Sequence, residues 1–115
     1  MSDINSVCIS GHIGKQPEMR YFESGKRVVN FSVAVNEWAG EEKGEVAHWF
    51  DCCAWDKRAD FIGEYAKSGS LVLIGGRLAV DTYMAKSGTK WSRVYIKVDE
   101  IKIVGKTAQA DNEQA

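Results

Sequence analysis

Apolar residues recur at every second position along most of this chain and at helical spacing in one stretch only. Val7, Ile9, Gly11 and Ile13 alternate with Cys8, Ser10 and His12, and Val29, Phe31, Val33 and Val35 alternate with Val28, Asn30, Ser32 and Ala34. Successive side chains of a strand point to opposite faces, so this period builds a sheet with one buried face. A third strand carries Trp49 to Trp55. A fourth sets Val72, Ile74, Gly76, Leu78 and Val80 inward, and a fifth does the same with Val94, Ile96 and Val98. Between the third and the fourth, Phe61, Ile62, Tyr65 and Ala66 fall at helical spacing within Lys57 to Lys67. Lys67 falls in the last turn of that helix, and Gly69 is placed to end it in a left-handed conformation.

Turn residues separate these elements. Gln16-Pro17 and Ser24-Gly25 punctuate a stretch in which only Arg20-Tyr21 reads as extended, and Lys86-Ser87-Gly88-Thr89 reads as a hairpin turn. The charged, glycine-bounded segment Ala39 to Glu45 reads as a solvated loop. Ile101 and Ile103 lie at odd offset from Val98, so a bulge near Asp99-Glu100 is needed to keep both sets inward. The order predicts an all-β OB-fold, a five-stranded Greek-key barrel with one helix between strands 3 and 4. An immunoglobulin-like sandwich takes about seven strands and no such helix, and an alternating α/β fold takes more helices than one. One domain, residues 1–105, accounts for all of these elements. Residues 106–115 hold no apolar side chain larger than alanine and read as a short disordered tail.

Charge is nearly balanced, with 15 Lys+Arg against 16 Asp+Glu. That excludes a partner held by bulk positive charge and leaves room for a local basic groove. At 44% hydrophobic over 115 residues, the chain can bury a core without staples. Its three cysteines are an odd number, and Cys52 and Cys53 are neighbours pointing to opposite faces. They read as reduced thiols in an intracellular, cytoplasmic setting. The N-terminus shows no secretory signal and no apolar run reaches membrane-spanning length, so no membrane partner is expected.

Four large aromatic residues, Trp38, Trp49, Trp55 and Tyr83, sit where a β-rich chain has little reason to place them. Trp49 and Trp55 are an even offset apart and share a strand face with Asp51, opposite Phe50, Cys52 and Ala54. Two indoles flanking a carboxylate argue against sealed core. They make a platform for unpaired bases, because every base has a π-face. Trp91 shares a face with Arg93, Tyr95 and Lys97, an aromatic and basic stripe that either extends such a path or is a solvated strand face. Lys15, Arg20, Lys26, Arg27, Lys57, Arg58 and Lys67 are candidate phosphate contacts. Plainer roles stand beside these: ordinary core packing for Trp49 and Trp55, a loop-edge anchor for Trp38, strand filler for Tyr83, solvated charge for each cation.

The residues also resemble a known family, the bacterial-type single-stranded DNA-binding proteins. The resemblance runs from Ile4 to Val104. It is carried by Gly11 to Tyr21, Ser24-Gly25-Lys26, Val29 to Asn36, Trp49, Trp55-Asp56-Lys57, Tyr65 to Ser70, Gly76-Arg77-Leu78 and Asp99-Glu100-Ile101. It implies a homotetramer of OB-folds with single-stranded DNA wrapped around it, acting in replication, recombination and repair, without a cofactor and associated with the bacterial nucleoid. The family's stacking positions fall on Trp38, Trp49, Trp55 and Tyr83, where it can use Phe at the site of Trp55 and Trp at that of Tyr83. Its basic positions fall on Lys57 and Lys67. Phe50 stands where a His or Arg is common, and Gly75 where Glu is common. The chain ends Ala110-Asp111-Asn112-Glu113-Gln114-Ala115, without the long, acidic, Phe-terminated tip that recruits repair and replication proteins in the family. That departure puts recruitment by that route in doubt.

Catalysis and metal binding find little support. No GxGxxG, phosphate loop, HExxH or GxSxG is present, and His12 and His48 have no acid partner nearby in sequence. Cys8 with His12, and His48 with Cys52, are four apart on their strands, a spacing that fits no closely spaced zinc pattern. No metal site and no enzyme activity are expected.

Overall fold

Six strands and one helix, in the order β1 Val7–Ile13, β2 Glu18–Tyr21, β3 Arg27–Trp38, β4 Glu45–Trp55, α1 Asp56–Tyr65, β5 Leu71–Met84 and β6 Lys90–Gly105, make up the chain in a computed structural model that describes residues 3–105. The expectation of a tail over 106–115 lies outside the described residues. Among the described residues the fold is mostly β with a single helix, placed between β4 and β5. The sheet runs β1-β5-β6-β4-β3-β2, and β1 also pairs β3 through His12–Ala34 and Ile13–Val33. The pairings therefore form a ring from β1 through β5, β6, β4 and β3 back to β1. All are antiparallel except β4 with β6, which meet in parallel at Cys52–Ile96 and Cys53–Lys97.

The strand count corrects the expectation of five to six. The added strand, β2, has four residues, too short to show alternation. Its register against β3, Met19–Val29 and Arg20–Val28, makes it a strand. Met19 also packs on the core and against α1, where a Cβ at Gly63 would come within 3.2 Å of its side chain.

One face of each strand builds the core. Val29, Phe31 and Val33 of β3, Cys52 and Ala54 of β4, Val72 and Ile74 of β5, and Ile96 and Val98 of β6 are buried, with Ile13 closing one end. The helix adds Ala59 and Ile62, three apart and so on one face. Fully burying a side chain such as Ile62 is worth about 1.5–3 kcal/mol. The helix ends at Tyr65, two residues before the expected Lys67, because Ala66 turns extended while its N–H still donates to Ile62 O. Gly69 does take the left-handed conformation expected of it, with φ +86°, but four residues beyond the helix. There its N–H donates to Ile13 O at 2.8 Å and ties the α1–β5 loop to β1.

The bulge lies where the parity change required it. Gly75 faces Glu100 and Gly76 faces Val98, which leaves Asp99 as the extra residue of β6. A Cβ at Gly76 would lie 2.2 Å from Lys97 O, so this close backbone approach requires glycine. The inward assignment of Leu78, Val80 and Val94 is corrected: they are 48%, 59% and 55% exposed. Beyond Gly76, β5 has left its last partner on β1, and the β5–β6 hairpin projects past the core.

Candidate nucleic-acid interface

Strand register sets the tryptophans on a common face. Across β3 and β4 the pairs are Trp38–Glu45, Ala34–Trp49, Ser32–Asp51 and Val28–Trp55. Residues directly opposite share a face, so Trp38, Trp49, Asp51 and Trp55 all stand on the side away from the core. Trp38 is the last residue of β3 rather than part of a loop. It is 67% exposed, Trp49 60% and Trp55 38%. At about 3.3 Å per residue, Trp49 and Trp55 stand about 20 Å apart along β4.

Trp49 and Trp55 each have a floor. Trp49 lies against the backbone of Gly14, where an added Cβ would come within 2.6 Å of its ring. The N–H of Gly14 donates to Ser32 O at 3.0 Å and holds that loop down on β3. Gly14, Lys15, Ser32, Trp49 and Asp51 enclose an open groove of about 660 Å³, and Lys15 continues into a second groove with Asp51 and Arg93. Trp55 stacks on Phe22, with ring centroids 5.9 Å apart and planes 19° from parallel. The guanidinium of Arg20 lies 6.0 Å from the centroid of Phe22. Cation, phenyl and indole thus form one stack. Phe22 was not anticipated as a site residue. Its one signal was an even offset from Arg20 at the head of the Ser24-Gly25 turn.

The parallel pairing of β4 with β6 carries this face sideways. Cys53 lies beside Lys97, so Lys97, Tyr95, Arg93 and Trp91 continue the tryptophan face by strand alternation. The Arg93 guanidinium lies 5.1 Å from the Tyr95 ring centroid, and its Nε 3.9 Å from Asp51. The Tyr95 hydroxyl donates to Asp81 Oδ1 at 3.3 Å, and burial, with the nearby Asp81 charge, raises its pKa. Tyr83 and Trp91 oppose each other across the hairpin, both more than half exposed. Cys53 shares this face yet is buried. Burial raises its thiol above the ordinary range, while Lys97 and Arg93 work against the rise.

The cations divide. Lys57 sits in the first turn of α1 and lines a groove with Trp55, Asp56 and Arg58. Lys67 does not join it: α1 is 10 residues long, about 15 Å, and Lys67 lies past its far end. There the loop is bonded to the Lys15 side, with Gln16 Nε2 donating to Ala66 O at 3.2 Å and Gln16 Oε1 accepting from the Ser68 N–H at 3.3 Å. Among the described residues Lys15, Arg20, Lys57 and Lys67 form no ion pair. Arg27 is committed elsewhere. Its Nε donates to Asp60 Oδ1 at 2.6 Å, which raises the pKa of the arginine and lowers that of the carboxyl. Arg77 is 3.9 Å from Asp99.

Cys8 with His12 lie on β1 and His48 with Cys52 on β4, strands that do not pair. His48 Nε2 instead lies 3.2 Å from Glu37 Oε2. Among the described residues no group of three or more His, Cys, Asp or Glu is placed to hold a metal, and no helix is long and apolar enough to cross a membrane.

The sequence matches the model of the single-strand binding protein family over residues 4–104. It is 40% identical over 113 residues to single-stranded DNA-binding protein 1 of Synechocystis sp., covering 97% of this chain and 91% of that protein. To single-stranded DNA-binding protein 1 of Nostoc sp. it is 33% identical over 109 residues, covering 94% and 89%. To the single-stranded DNA-binding protein of Neisseria meningitidis it is 34% identical over 105 residues, covering 89% of this chain and 60% of that protein.

Proposed function

The chain belongs to the single-strand binding protein family, and we propose that it holds single-stranded DNA by stacking bases on Trp38, Trp49, Trp55 and Tyr83, with Trp91 extending the track. Its work is binding, not catalysis. Lys15, Arg20 and Lys57 neutralise phosphates beside the rings, and Lys67 does so at the far end of the Lys15 loop. The observation that carries this reading is three tryptophans on one open sheet face, two of them floored by a glycine backbone and by a phenyl ring. Stacking tolerates any base, so the sequence preference is weak. Duplex DNA hides its base faces and binds poorly.

The same proposal covers the biology. Coating single strands protects them in replication, recombination and repair, at the nucleoid. The ring of strand pairings is read as the barrel of the OB-fold. A homotetramer is part of the reading, supported by the apolar Leu78, Val80 and Val94 left open on the hairpin, a surface that a further copy would cover. Fluorescence anisotropy of a labelled oligothymidylate at rising salt tests the binding claim, with unlabelled duplex as competitor. Log affinity should fall linearly with log salt, by about 0.7 per phosphate contacted. Equal competition by duplex and single strand would contradict it.

A further inference from the structure

One groove lies beyond the tryptophan face. It runs between α1 and β6, is lined by Lys57, Arg58, Phe61, Glu100, Ile101 and Lys102, and encloses about 440 Å³. Phe61 falls at helical spacing with Ile62 and Tyr65, but the inward positions of α1 are taken by Ala59 and Ile62, and Phe61 is 42% exposed. Its ring lies 5.1 Å from that of Tyr65, which is also exposed. Two large rings on the open side of a short helix gain little from packing. The groove has an apolar floor, Phe61 and Ile101, and carries three cations against one carboxylate.

The groove is continuous with the Trp55 site. Trp55 and Asp56 line one stretch with Lys26, Tyr95 and Lys97, and a second with Lys57 and Arg58. Those last two cations line the α1–β6 groove as well. From Trp55 to Phe61 is six residues, about 9 Å along the helix. An aromatic ring beside cations, reached from a stacked tryptophan through shared lysine and arginine side chains, suits more of the same polyanion. We propose that a single strand leaving Trp55 continues over the first turn of α1 into this groove, where Phe61 stacks a further base and Lys102 holds an adjoining phosphate. This rests on the single-stranded DNA-binding reading above.

The test is the length dependence of binding. Oligothymidylates of increasing length are titrated against the wild-type chain, Phe61→Ala, Phe61→Leu, Lys102→Gln and Trp55→Ala, with a thermal melt of each. Phe61→Leu keeps apolar bulk and removes the flat ring, so it carries the test if Phe61→Ala does not fold. The Phe61 variants should bind the shortest oligonucleotides as the wild type does and lose about tenfold on longer ones. Lys102→Gln should lower the salt dependence for the longer ones only. Wild-type affinity at every length in the Phe61 variants, with Trp55→Ala weakened, would overturn the extended path and leave the function standing. A loss equal at every length would also overturn it. Failure of the wild-type chain to bind any length would instead bring down the underlying reading.

Discussion

Replacing Gly14 by alanine should separate holding the fold from holding a base. The new Cβ would lie 2.6 Å from Trp49 Cζ3, 3.0 Å from Cη2 and 3.1 Å from Ser32 Oγ. Carbon atoms in contact sit about 3.5–4.0 Å apart, so the indole must withdraw by about 1 Å. The atoms that must move are the far end of a side chain that is 60% exposed, and solvent lies on its open side. Gly14 does not hold a left-handed φ, so alanine fits its backbone. An indole pushed off its rotamer costs about 0.5–1.5 kcal/mol. The stacked base it no longer meets is worth about 1–3 kcal/mol, so affinity should fall by about five- to a hundredfold. Gly11→Ala is the contrast. Its Cβ would lie 2.2 Å from the backbone oxygen of Ala34, which cannot swing aside, and this variant should lose the fold. Urea unfolding and an oligothymidylate titration of both variants check this. A Gly14→Ala protein as unstable as Gly11→Ala, or one that binds with wild-type affinity, would refute the reasoning.

Thiol labelling should distinguish the cysteines. At neutral pH a maleimide or disulfide reagent should modify exposed Cys8 quickly and reach buried Cys52 and Cys53 only on unfolding; three equal rates would contradict the described burial. Burial, with Cys53 and Asp51 nearby, pushes the Cys52 thiol from the ordinary 9.0 of a free thiol up to about 12. The unfolded chain releases that proton near pH 9 while the folded chain keeps it, so this stability is intact below pH 9 and is lost as pH rises toward 12. The loss is at most about 1.4 kcal/mol per pH unit for one proton. Denaturation midpoints from pH 8.5 to 11 should fall less steeply for Cys52→Ala than for the wild type; parallel curves would show that the thiol is not protected.

Alternation made β1, β3, β5 and β6 legible, because burying one face of a strand imposes a period of two. It could not show where burial stops. Leu78, Val80 and Val94 alternate like core residues and stand in solvent because β1 ends its pairing at Gly76. Parity also placed Trp49 with Trp55, but it could not bury Cys53 between them, which depends on neighbours Asn30 and Lys97 in adjacent strands. The face of Trp38 follows only from its register with Glu45. Phe22 joins the site through a stack that no local pattern encodes. Lys57 and Lys67 read alike as exposed cations, and only the length of α1 separates them.

Tryptophan emission during titration tests the stacking claim most directly. Oligothymidylate should quench the wild-type chain strongly, duplex of the same length should barely change it, and Trp49→Ala should fold, lose part of the quench and bind about 1–3 kcal/mol more weakly. Equal quenching by duplex and single strand, or a Trp49→Ala chain that no longer folds, would contradict the account.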